Sequence, residues 1–275
     1  FIEFAYCCHY NTQMIRILGI GDIVGQPGRK ALTEKLPSFI KERNIDFVVA
    51  NAENVSGGSG ITPKEANELF GCGINVITTG DHIWAHKEII PMLATNNRIL
   101  RLANFPEEAP GTGAALYETA SGARVGVIHV AGRSFMRYHF NCPFKTARAI
   151  AERFKQETPV IVVDMHGEAT SEKIAIGWHL DGIASFVFGT HTHVQTADER
   201  ILPNGTAYIT DLGMTGPYES VIGRRIDKVL QKFIMQIPNK MEVAQNDVHI
   251  CGAVVEINET TGSASSIERI NLKVN

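Results

Sequence analysis

Along most of the chain, short runs of hydrophobic residues typical of strands alternate with stretches in which hydrophobic residues recur at helical spacing. Short runs of β-branched residues at 15–20 and 47–50 predict buried strands. Between them, apolar residues at helical spacing predict a helix over 28–43. A chain that repeats strand, loop and helix in this way is typical of an α/β fold.

A capping signature marks the start of the next helix. Thr62, Pro63 and Glu65 supply an N-cap hydroxyl, a proline suited to the first helical position and a glutamate that can bond back to the cap. This helix is expected to end near Gly71. The same patterns predict further strands at 76–78, 160–163 and 186–188, and helices at 87–93, 143–156 and 171–179.

Two hairpin turns interrupt the alternation of strands and helices. Ser121-Gly122 separates strand patterns at 114–118 and 124–130, and Asn204-Gly205 forms a second such turn. Near the end of the chain, strand patterns return at 253–257 and 267–272. The sheet structure is therefore predicted to be mixed. Because no stretch has the composition of a linker, residues 14–275 are predicted to form one domain. Residues 1–13 lack a signal-peptide pattern and are expected to be a non-native or disordered extension.

Composition and charge exclude several classes of protein. A chain of 275 residues with 44% hydrophobic content can bury a large core, which excludes a disordered chain and a disulfide-stapled miniprotein. The 26 basic and 29 acidic residues form no long block of one sign, so neither stable nucleic-acid binding nor a membrane-surface tail is expected. No apolar run approaches the roughly 20 residues that span a bilayer. Five irregularly spaced cysteines indicate free thiols and a cytoplasmic, reducing location.

Side chains able to bind metal follow five of the predicted strands. Since ligands bind at the carboxyl ends of strands in open α/β sheets, these residues can converge although they are scattered in sequence. His191 and His193 lie two apart, which in an extended segment would put both imidazoles on the same side. The candidates are Asp22, Glu53, Asn54, Asp81, His82, His166, His191 and His193.

Taken singly, each of these residues is more often a turn or helix cap than a catalytic group. Taken together, the carboxylates, imidazoles and amide are too many for one four-coordinate ion, and without cations the carboxylates would repel one another. Oxygen and nitrogen donors without thiolate favour a pair of Mn, Fe or Zn ions over Mg, Ca or an iron–sulfur cluster.

Five blocks of sequence resemble the YmdB-like branch of the calcineurin-type metallophosphoesterases. The blocks occur in that family's order and spacing, and the likeness runs from Met14 to about Lys273. They are GDIVGQPGR at 21–29, AENVSGG at 52–58, TGDHIW at 79–84, DMHGEATSEK at 164–173 and GTHTHVQTAD at 189–198.

The resemblance implies a four-layer αββα sandwich in which two mixed sheets pack face to face with helices outside. It also implies two divalent or trivalent metal ions, with Fe or Mn favoured and Zn as an alternative. Glu53 would bridge the two ions, and His82 would be the general acid near the leaving group. The remaining ligands would be Asp22, Asn54 and His193 for one ion, and Asp81, His166 and His191 for the other.

The chain departs from the wider pattern at two positions. Val24 stands where the superfamily carries a histidine ligand, which is normal for this branch. Asp81 stands where the family usually carries asparagine. The added negative charge is expected to tighten cation binding, to weaken the Lewis acidity of the ions and to repel an anionic substrate.

These observations predict a dinuclear metal-dependent phosphodiesterase. Two ions would lower the pKa of a shared water, so that a metal-bridging hydroxide attacks the phosphorus while His82 protonates the leaving oxygen. Cyclic nucleotides of the 2′,3′ and 3′,5′ kinds are the substrates that the resemblance implies. Two alternatives are a metal-dependent hydrolase of a non-phosphate bond and a nearly inactive, metal-binding regulatory protein. A homo-oligomer is also left open.

Substrate contacts are predicted from two loops. Gly57 and Gly58 could cradle a phosphate through backbone N–H groups, although a flexible connection is the common role of such glycines. Arg133 could grip the phosphate from its loop, or it could be a solvated surface residue. Glu168 and Glu172 are candidates to orient ligand histidines.

Overall fold

Two mixed β-sheets organise residues 13–274, the part of the chain that the computed structural model describes. Of the extension predicted at residues 1–13, residues 1–12 lie outside the described residues, as does the terminal residue 275. Strands are numbered in chain order through both sheets. The first sheet contains β1 (Met14–Ile20), β2 (Asp22–Ile23), β3 (Phe47–Asn51), β4 (Val76–Thr78), β5 (Ile99–Leu100), β12 (Met214–Pro217), β13 (Val248–Asn258) and β14 (Ala264–Val274). The second contains β6 (Ala114–Glu118), β7 (Arg124–Ala131), β8 (Ile161–His166), β9 (Phe186–Thr190), β10 (Arg200–Ile201) and β11 (Ala207–Ile209).

The first sheet joins the beginning of the chain to its end. Its order is β2-β12-β13-β1-β3-β4-β5, with β14 paired to β13 as well. Strands β1, β3, β4 and β5 run parallel, whereas β13 is antiparallel to both β1 and β14. Consequently β1, β3 and β4 all end at the same edge of this sheet.

The second sheet has a parallel centre and antiparallel edges. Its order is β10-β11-β9-β8-β7-β6, in which β7, β8, β9 and β11 are parallel. The two predicted hairpins are present, since β6 pairs antiparallel with β7 and β10 with β11. The prediction of two mixed sheets is confirmed.

Six α-helices in the described range connect these strands. The predicted capping box is present at Thr62, whose hydroxyl accepts from the Glu65 amide while the Glu65 carboxylate accepts from the Thr62 amide. The helix predicted over 87–93 is divided into a 3₁₀ turn at Lys87–Ile89 and a short α-helix. The helices are α1 (Gly25–Glu42), α2 (Pro63–Gly71), α3 (Ile90–Thr95), α4 (Pro143–Phe154), α5 (Thr170–His179) and α6 (Ile226–Met235). None of them is both long and apolar enough to cross a membrane.

Three buried apolar clusters separate four layers. The middle cluster lies between the sheets, where Ile17 and Phe47 of the first face Val127 and Phe186 of the second. An outer cluster packs α1 and α2 against the first sheet, and another packs α4 and α5 against the second. The predicted αββα arrangement is therefore confirmed. The cysteines within the described residues, Cys72, Cys142 and Cys251, are free thiols.

Candidate metal centre and active-site cavity

The predicted metal ligands meet where the carboxyl ends of strands from both sheets converge. Asp22 opens β2, while Glu53 and Asn54 follow β3 and Asp81 follows β4. His166 is the last residue of β8, and His191 and His193 follow β9. The first sheet thus supplies the carboxylates and the amide, and the second supplies the imidazoles.

Four of these side chains form one compact group. Ligand atoms of Glu53, Asp81, His166 and His191 all lie within 4.8 Å of one another. The His166 Nε2 atom is 3.0 Å from Glu53 Oε2 and 3.8 Å from Asp81 Oδ1. His191 Nδ1 lies 3.0 Å from His166 Nε2. Two nitrogens and two carboxylates around a common centre are a suitable donor set for one transition-metal ion.

A second group adjoins the first. The Nε2 atom of His193 is 3.0 Å from Asn54 Nδ2 and 3.8 Å from Asp22 Oδ1. Asn54 Nδ2 also lies 3.4 Å from Glu53 Oε2. Glu53 therefore contacts members of both groups and stands in the position that a bridging ligand requires.

Unpartnered buried atoms in this cluster fit a bound cation. Asp22 Oδ1 and Asp81 Oδ1 are buried and have no hydrogen-bond partner among the described residues. A buried carboxylate oxygen without a donor is costly, because it loses the hydrogen bonds that water would provide. Carboxylate–metal bonds would satisfy both oxygens, so the residues present fit a metal-binding centre.

Electrostatics in the cluster favour positive charge at its centre. Burial raises the pKa of Asp22 above its usual range. Burial acts in the same direction on Glu53, but the charge and hydrogen bond of His166 outweigh it and hold the Glu53 pKa well below its usual range. Burial lowers the pKa of His166, yet the facing carboxylates, Glu53 above all, raise it well above the ordinary value. Carboxylates this close together need a positive partner.

Two of the proposed ligand histidines are oriented by hydrogen bonds to Nδ1, the ring nitrogen that points away from the cluster. His166 Nδ1 lies 2.9 Å from the Thr190 hydroxyl, which donates in turn to Asp164 Oδ1 at 2.7 Å. His193 Nδ1 donates to the Ile222 carbonyl at 3.0 Å. Both contacts leave the Nε2 atoms free to face the ligand cluster, which is the arrangement that metal-binding histidines commonly need.

The two glutamates predicted to orient histidines differ in position. Glu168 Oε2 lies 3.3 Å from His191 Nε2, as that prediction requires. Glu172 instead accepts from the amides of Arg133 and Ser134 at 3.0 and 2.9 Å. Because it is the first-turn acid of α5 and reaches the loop after β7, it holds that loop and contacts no ligand histidine.

The backbone around the histidine pair is not the extended segment that the sequence suggested. Strand β9 ends at Thr190, and His191 and His193 have φ values of 95° and 64°, in the left-handed region. This region is costly for residues with a Cβ, by about 1–3 kcal/mol each. The expectation that alternation along a strand places both imidazoles on one side is therefore wrong. The turn directs His191 into one group and His193 into the other.

A buried ion pair holds this strained turn in place. The Thr192 hydroxyl donates to Asp211 Oδ2 at 2.6 Å, and the same oxygen accepts from the Lys173 ammonium at 2.7 Å. The Lys173 and Asp211 side chains are fully buried. Because Asp211 is held by Lys173 and bonds to the Thr192 hydroxyl, it fixes the residue between the two left-handed histidines.

Gly80 follows strand β4 and lies directly against two of the proposed metal ligands. A Cβ atom at this position would overlap the Glu53 carboxylate and the His166 imidazole. The glycine in the sequence Thr-Gly-Asp-His is therefore required by the space that the ligands occupy.

His82 lies beside the ligands at the edge of a cavity of about 270 Å³. Its backbone amide donates to Glu53 Oε1 at 3.0 Å, whereas its ring Nδ1 is 3.9 Å from that oxygen. The side chain is 36% exposed, so it is tethered by the backbone and keeps access to the cavity. The cavity is lined by Glu53, Asn54, His82, Glu168, His191, Thr192, His193, Ile222 and Arg224.

The predicted substrate contacts lie outside this lining. Arg133 is exposed on the loop after β7. Gly57 and Gly58, with φ values of 60° and 92°, accept hydrogen bonds through their carbonyls from Arg224. Their roles as phosphate contacts stay predictions. Arg224 is a cavity residue that the sequence reasoning missed, because no local motif distinguishes it from the adjacent Arg225.

Comparison with known proteins gives consistent matches along nearly the whole chain. The family model described as "YmdB-like protein" matches residues 18–270. A 2′,3′-cyclic-nucleotide 2′-phosphodiesterase of Bacillus subtilis is 43% identical over 256 residues, which are 93% of this chain and 96% of that protein. A putative phosphatase/phosphodiesterase of Mycoplasma genitalium is 31% identical and covers 94% of this chain and 93% of its own length.

Two solved structures share the fold. A hypothetical protein from Thermus thermophilus has a TM-score of 0.88 and 35% identity, covering 95% of this chain and all of that one. A structure described as a novel phosphatase from Mycoplasma pneumoniae has a TM-score of 0.89 and 31% identity, covering 95% of this chain and 94% of that one. With a family model that matches most of its length and relatives above 30% identity, this chain belongs to the YmdB-like family.

Proposed function

We propose that the protein is a metal-dependent phosphodiesterase that hydrolyses 2′,3′-cyclic nucleotides, with the 3′,5′ isomers as a second substrate class. The observation that carries the proposal is the convergence of seven metal-binding side chains from both sheets beside a cavity that His82 also lines. The B. subtilis relative, whose name gives 2′,3′-cyclic nucleotides as its substrate, supports that choice.

The cofactor in this proposal is a pair of metal ions. Asp22, Asn54 and His193 would hold one, Asp81, His166 and His191 the other, and Glu53 would bridge them. Oxygen and nitrogen donors without thiolate suit Fe, Mn or Zn, and the family resemblance favours Fe or Mn, with Zn as an alternative. When bound, such ions supply positive charge for an anionic ester and lower the pKa of water near neutrality.

His82 is the proposed general acid. Its amide bond to Glu53 fixes the backbone next to the ligand cluster, while the partly exposed ring is free to meet a substrate in the cavity. A cyclic phosphodiester opens when the oxygen of a water molecule bonds to phosphorus and the bond from phosphorus to one ribose oxygen breaks. That oxygen stays on the sugar and needs a proton as it leaves phosphorus. An imidazole within hydrogen-bond reach of that oxygen supplies it.

A metal and substrate panel tests the proposal. The Mn²⁺-loaded protein is expected to release nitrophenol from bis-nitrophenyl phosphate and to open 2′,3′-cyclic nucleotides faster than linear dinucleotides or phosphomonoesters. Preference for monoesters would overturn the substrate assignment. No turnover with any metal would favour the metal-binding regulatory alternative, and hydrolysis of amide substrates alone would favour the non-phosphate alternative.

Elemental analysis tests the stoichiometry separately. Two ions per chain are expected, with both weakened in Glu53→Ala because the bridging carboxylate is lost. One tightly held ion that is unchanged in Glu53→Ala would contradict the arrangement.

Two further aspects belong to this proposal. The three cysteines of the described residues are free thiols, as expected of a protein in the reducing cytoplasm, and cell fractionation would test that location. A single domain over residues 14–275 is expected, and light scattering of the purified protein would distinguish a monomer from a homo-oligomer by its mass.

A further inference from the structure

A tight turn brings an arginine to the rim of the cavity. Val221 and Arg224 exchange backbone hydrogen bonds at 2.9 Å, and Ile222 and Gly223 between them have φ values of 46° and 91°. The Ile222 carbonyl accepts from the ligand His193. The turn is thus tied to the metal centre, and it carries Arg224 into the cavity lining.

The Arg224 guanidinium is held by carbonyl oxygens and has no anionic partner among the described residues. Its Nη1 donates to the Gly57 and Met241 carbonyls at 3.1 and 2.9 Å, and its Nη2 donates to the Gly58 carbonyl. The next residue, Arg225, pairs with both Asp227 and Glu242 at the surface. Of the two neighbouring arginines, only Arg225 has its charge neutralised by carboxylates in the described part of the chain.

The bonds that Arg224 makes use three of the five N–H groups of its guanidinium. The Nε–H and one Nη2–H have no acceptor among the described residues. An arginine with unused donors on both Nε and Nη2 can offer more than one hydrogen bond to the oxygens of a phosphate. The carbonyls fix the plane of the cation without neutralising its charge.

The absence of a side chain at Gly58 makes room for the Arg224 guanidinium. A Cβ atom at Gly58 would overlap the Arg224 guanidinium. The glycine after Ser56-Gly57 therefore serves the arginine, which is an alternative to the direct phosphate cradle predicted from the sequence.

We infer that Arg224 is a substrate-binding residue whose unused N–H groups hold the non-bridging oxygens of the phosphate beside the proposed metal centre. The inference rests on the proposed phosphodiesterase function, since it takes the phosphate to lie in the shared cavity with Glu53, Asn54 and His193. The cation would offset the negative charge that Asp81 adds to the ligand set. Replacement of Arg224 would therefore weaken phosphate binding and leave every proposed metal ligand in place.

Phosphate binding measured without turnover tests this role. Inorganic phosphate is titrated calorimetrically into the Mn²⁺-loaded wild type, Arg224→Gln and Arg225→Gln. Loss of a charge-assisted, two-point contact is expected to weaken phosphate binding about 10- to 100-fold in Arg224→Gln. Arg225→Gln, the matched control, removes an exposed arginine whose pairs are at the surface, and is expected to change it less than about twofold. Metal content is measured in each sample.

A second variant covers the structural role of the same side chain. Arg224→Lys keeps the positive charge but cannot bond two oxygens in parallel, so its phosphate affinity is expected to fall between the wild type and Arg224→Gln. A merely structural arginine would lower the melting temperature of both variants and leave their phosphate affinity equal to that of the wild type. That result, or no phosphate binding by the wild type, would overturn the inference.

Parallel kinetics separate this inference from the proposed function. If the wild type binds phosphate through Arg224 but opens no phosphodiester, the proposed function fails and the binding role stands. If the wild type is active and Arg224→Gln binds phosphate normally with unchanged KM, the binding role fails and the proposed function stands.

Discussion

Replacement of Thr190 by valine would test how the second sheet controls the metal centre. Valine keeps the shape of threonine and removes the hydroxyl that links His166 to Asp164. The hydroxyl is 2.9 Å from His166 Nδ1 and donates to Asp164 Oδ1 at 2.7 Å, and all three side chains are fully buried. The perturbation therefore leaves every proposed metal ligand chemically intact.

The structure gives the size of two expected effects. His166 Nδ1 and Asp164 Oδ1 would each lose their hydrogen-bond partner in the core. An unsatisfied buried group costs about 1–3 kcal/mol, so the free energy of unfolding should fall by about 2–6 kcal/mol. Because the bond to Thr190 also sets the ring orientation of His166, metal affinity should fall about 10- to 100-fold.

Thr206→Val is the matched control. Thr206 is equally buried beside the same sheet, and its hydroxyl donates to the Ala184 carbonyl at 2.6 Å and accepts from the Gly182 amide at 2.9 Å. Its removal leaves the buried Ala184 carbonyl and the amide of the exposed Gly182 without this partner, and neither group belongs to the metal centre. Urea unfolding of metal-depleted protein measures stability without the contribution of bound ions, and calorimetry measures Mn²⁺ affinity.

Both variants are expected to lose stability, Thr206→Val the less because water can reach the Gly182 amide, and Thr190→Val alone should lose metal affinity. Equal Mn²⁺ affinity in Thr190→Val and the wild type would refute the orienting role of Thr190. An equal loss of affinity in Thr206→Val would show that general weakening of the sheet, rather than the bond to His166, controls the site.

Three further substitutions test other parts of the centre. His82→Ala removes the proposed acid, so it should keep its metal but hydrolyse esters with a poor leaving group about 10²–10⁴-fold more slowly. Loss of metal would instead identify His82 as a ligand. Asp81→Asn should raise turnover at saturating Mn²⁺ and speed removal of one ion by chelator, and a variant unchanged in both would mean that the extra charge is already neutralised. Gly80→Ala should lower metal affinity because its Cβ would overlap Glu53 and His166, whereas Gly71→Ala, where a Cβ meets open space, should bind metal normally.

The position of the site was predictable from the sequence, because it depends on a general property of parallel strands. Side chains that follow β1, β3 and β4 lie at one edge of the first sheet, and those that follow β8 and β9 lie at one edge of the second. Strand patterns could therefore group Asp22 with Glu53 and Asp81, and His166 with His191, whereas the meeting of the two groups depends on how the sheets pack. The capping box at Thr62 was equally local, and its geometry follows from residues within one turn.

Features that depend on distant residues could not be predicted in this way. The left-handed turn at His191 and His193 is held by Lys173 and Asp211, which no local pattern connects to it. Arg224 reaches the cavity through a turn whose contacts come from His193 and Gly58. The short strand β12 contains glycine and proline and lacks a strand pattern, although helix α6 has Ile226, Val229, Leu230 and Phe233 at helical spacing that could have predicted it.

The pairing of β1 with β13 has a consequence for how the protein is made on the ribosome. β1 is the first strand of the described chain, yet one of its two neighbours, β13, spans Val248–Asn258. The carbonyl that orients His193 belongs to Ile222, so it too is synthesised late. The nascent chain thus exposes Asp22, Glu53 and Asp81 long before their imidazole partners and the closing strand exist. Capture of an ion by the complete set of proposed ligands would therefore follow synthesis of almost the whole polypeptide, so that a finished protein, and not a growing chain, would select the metal.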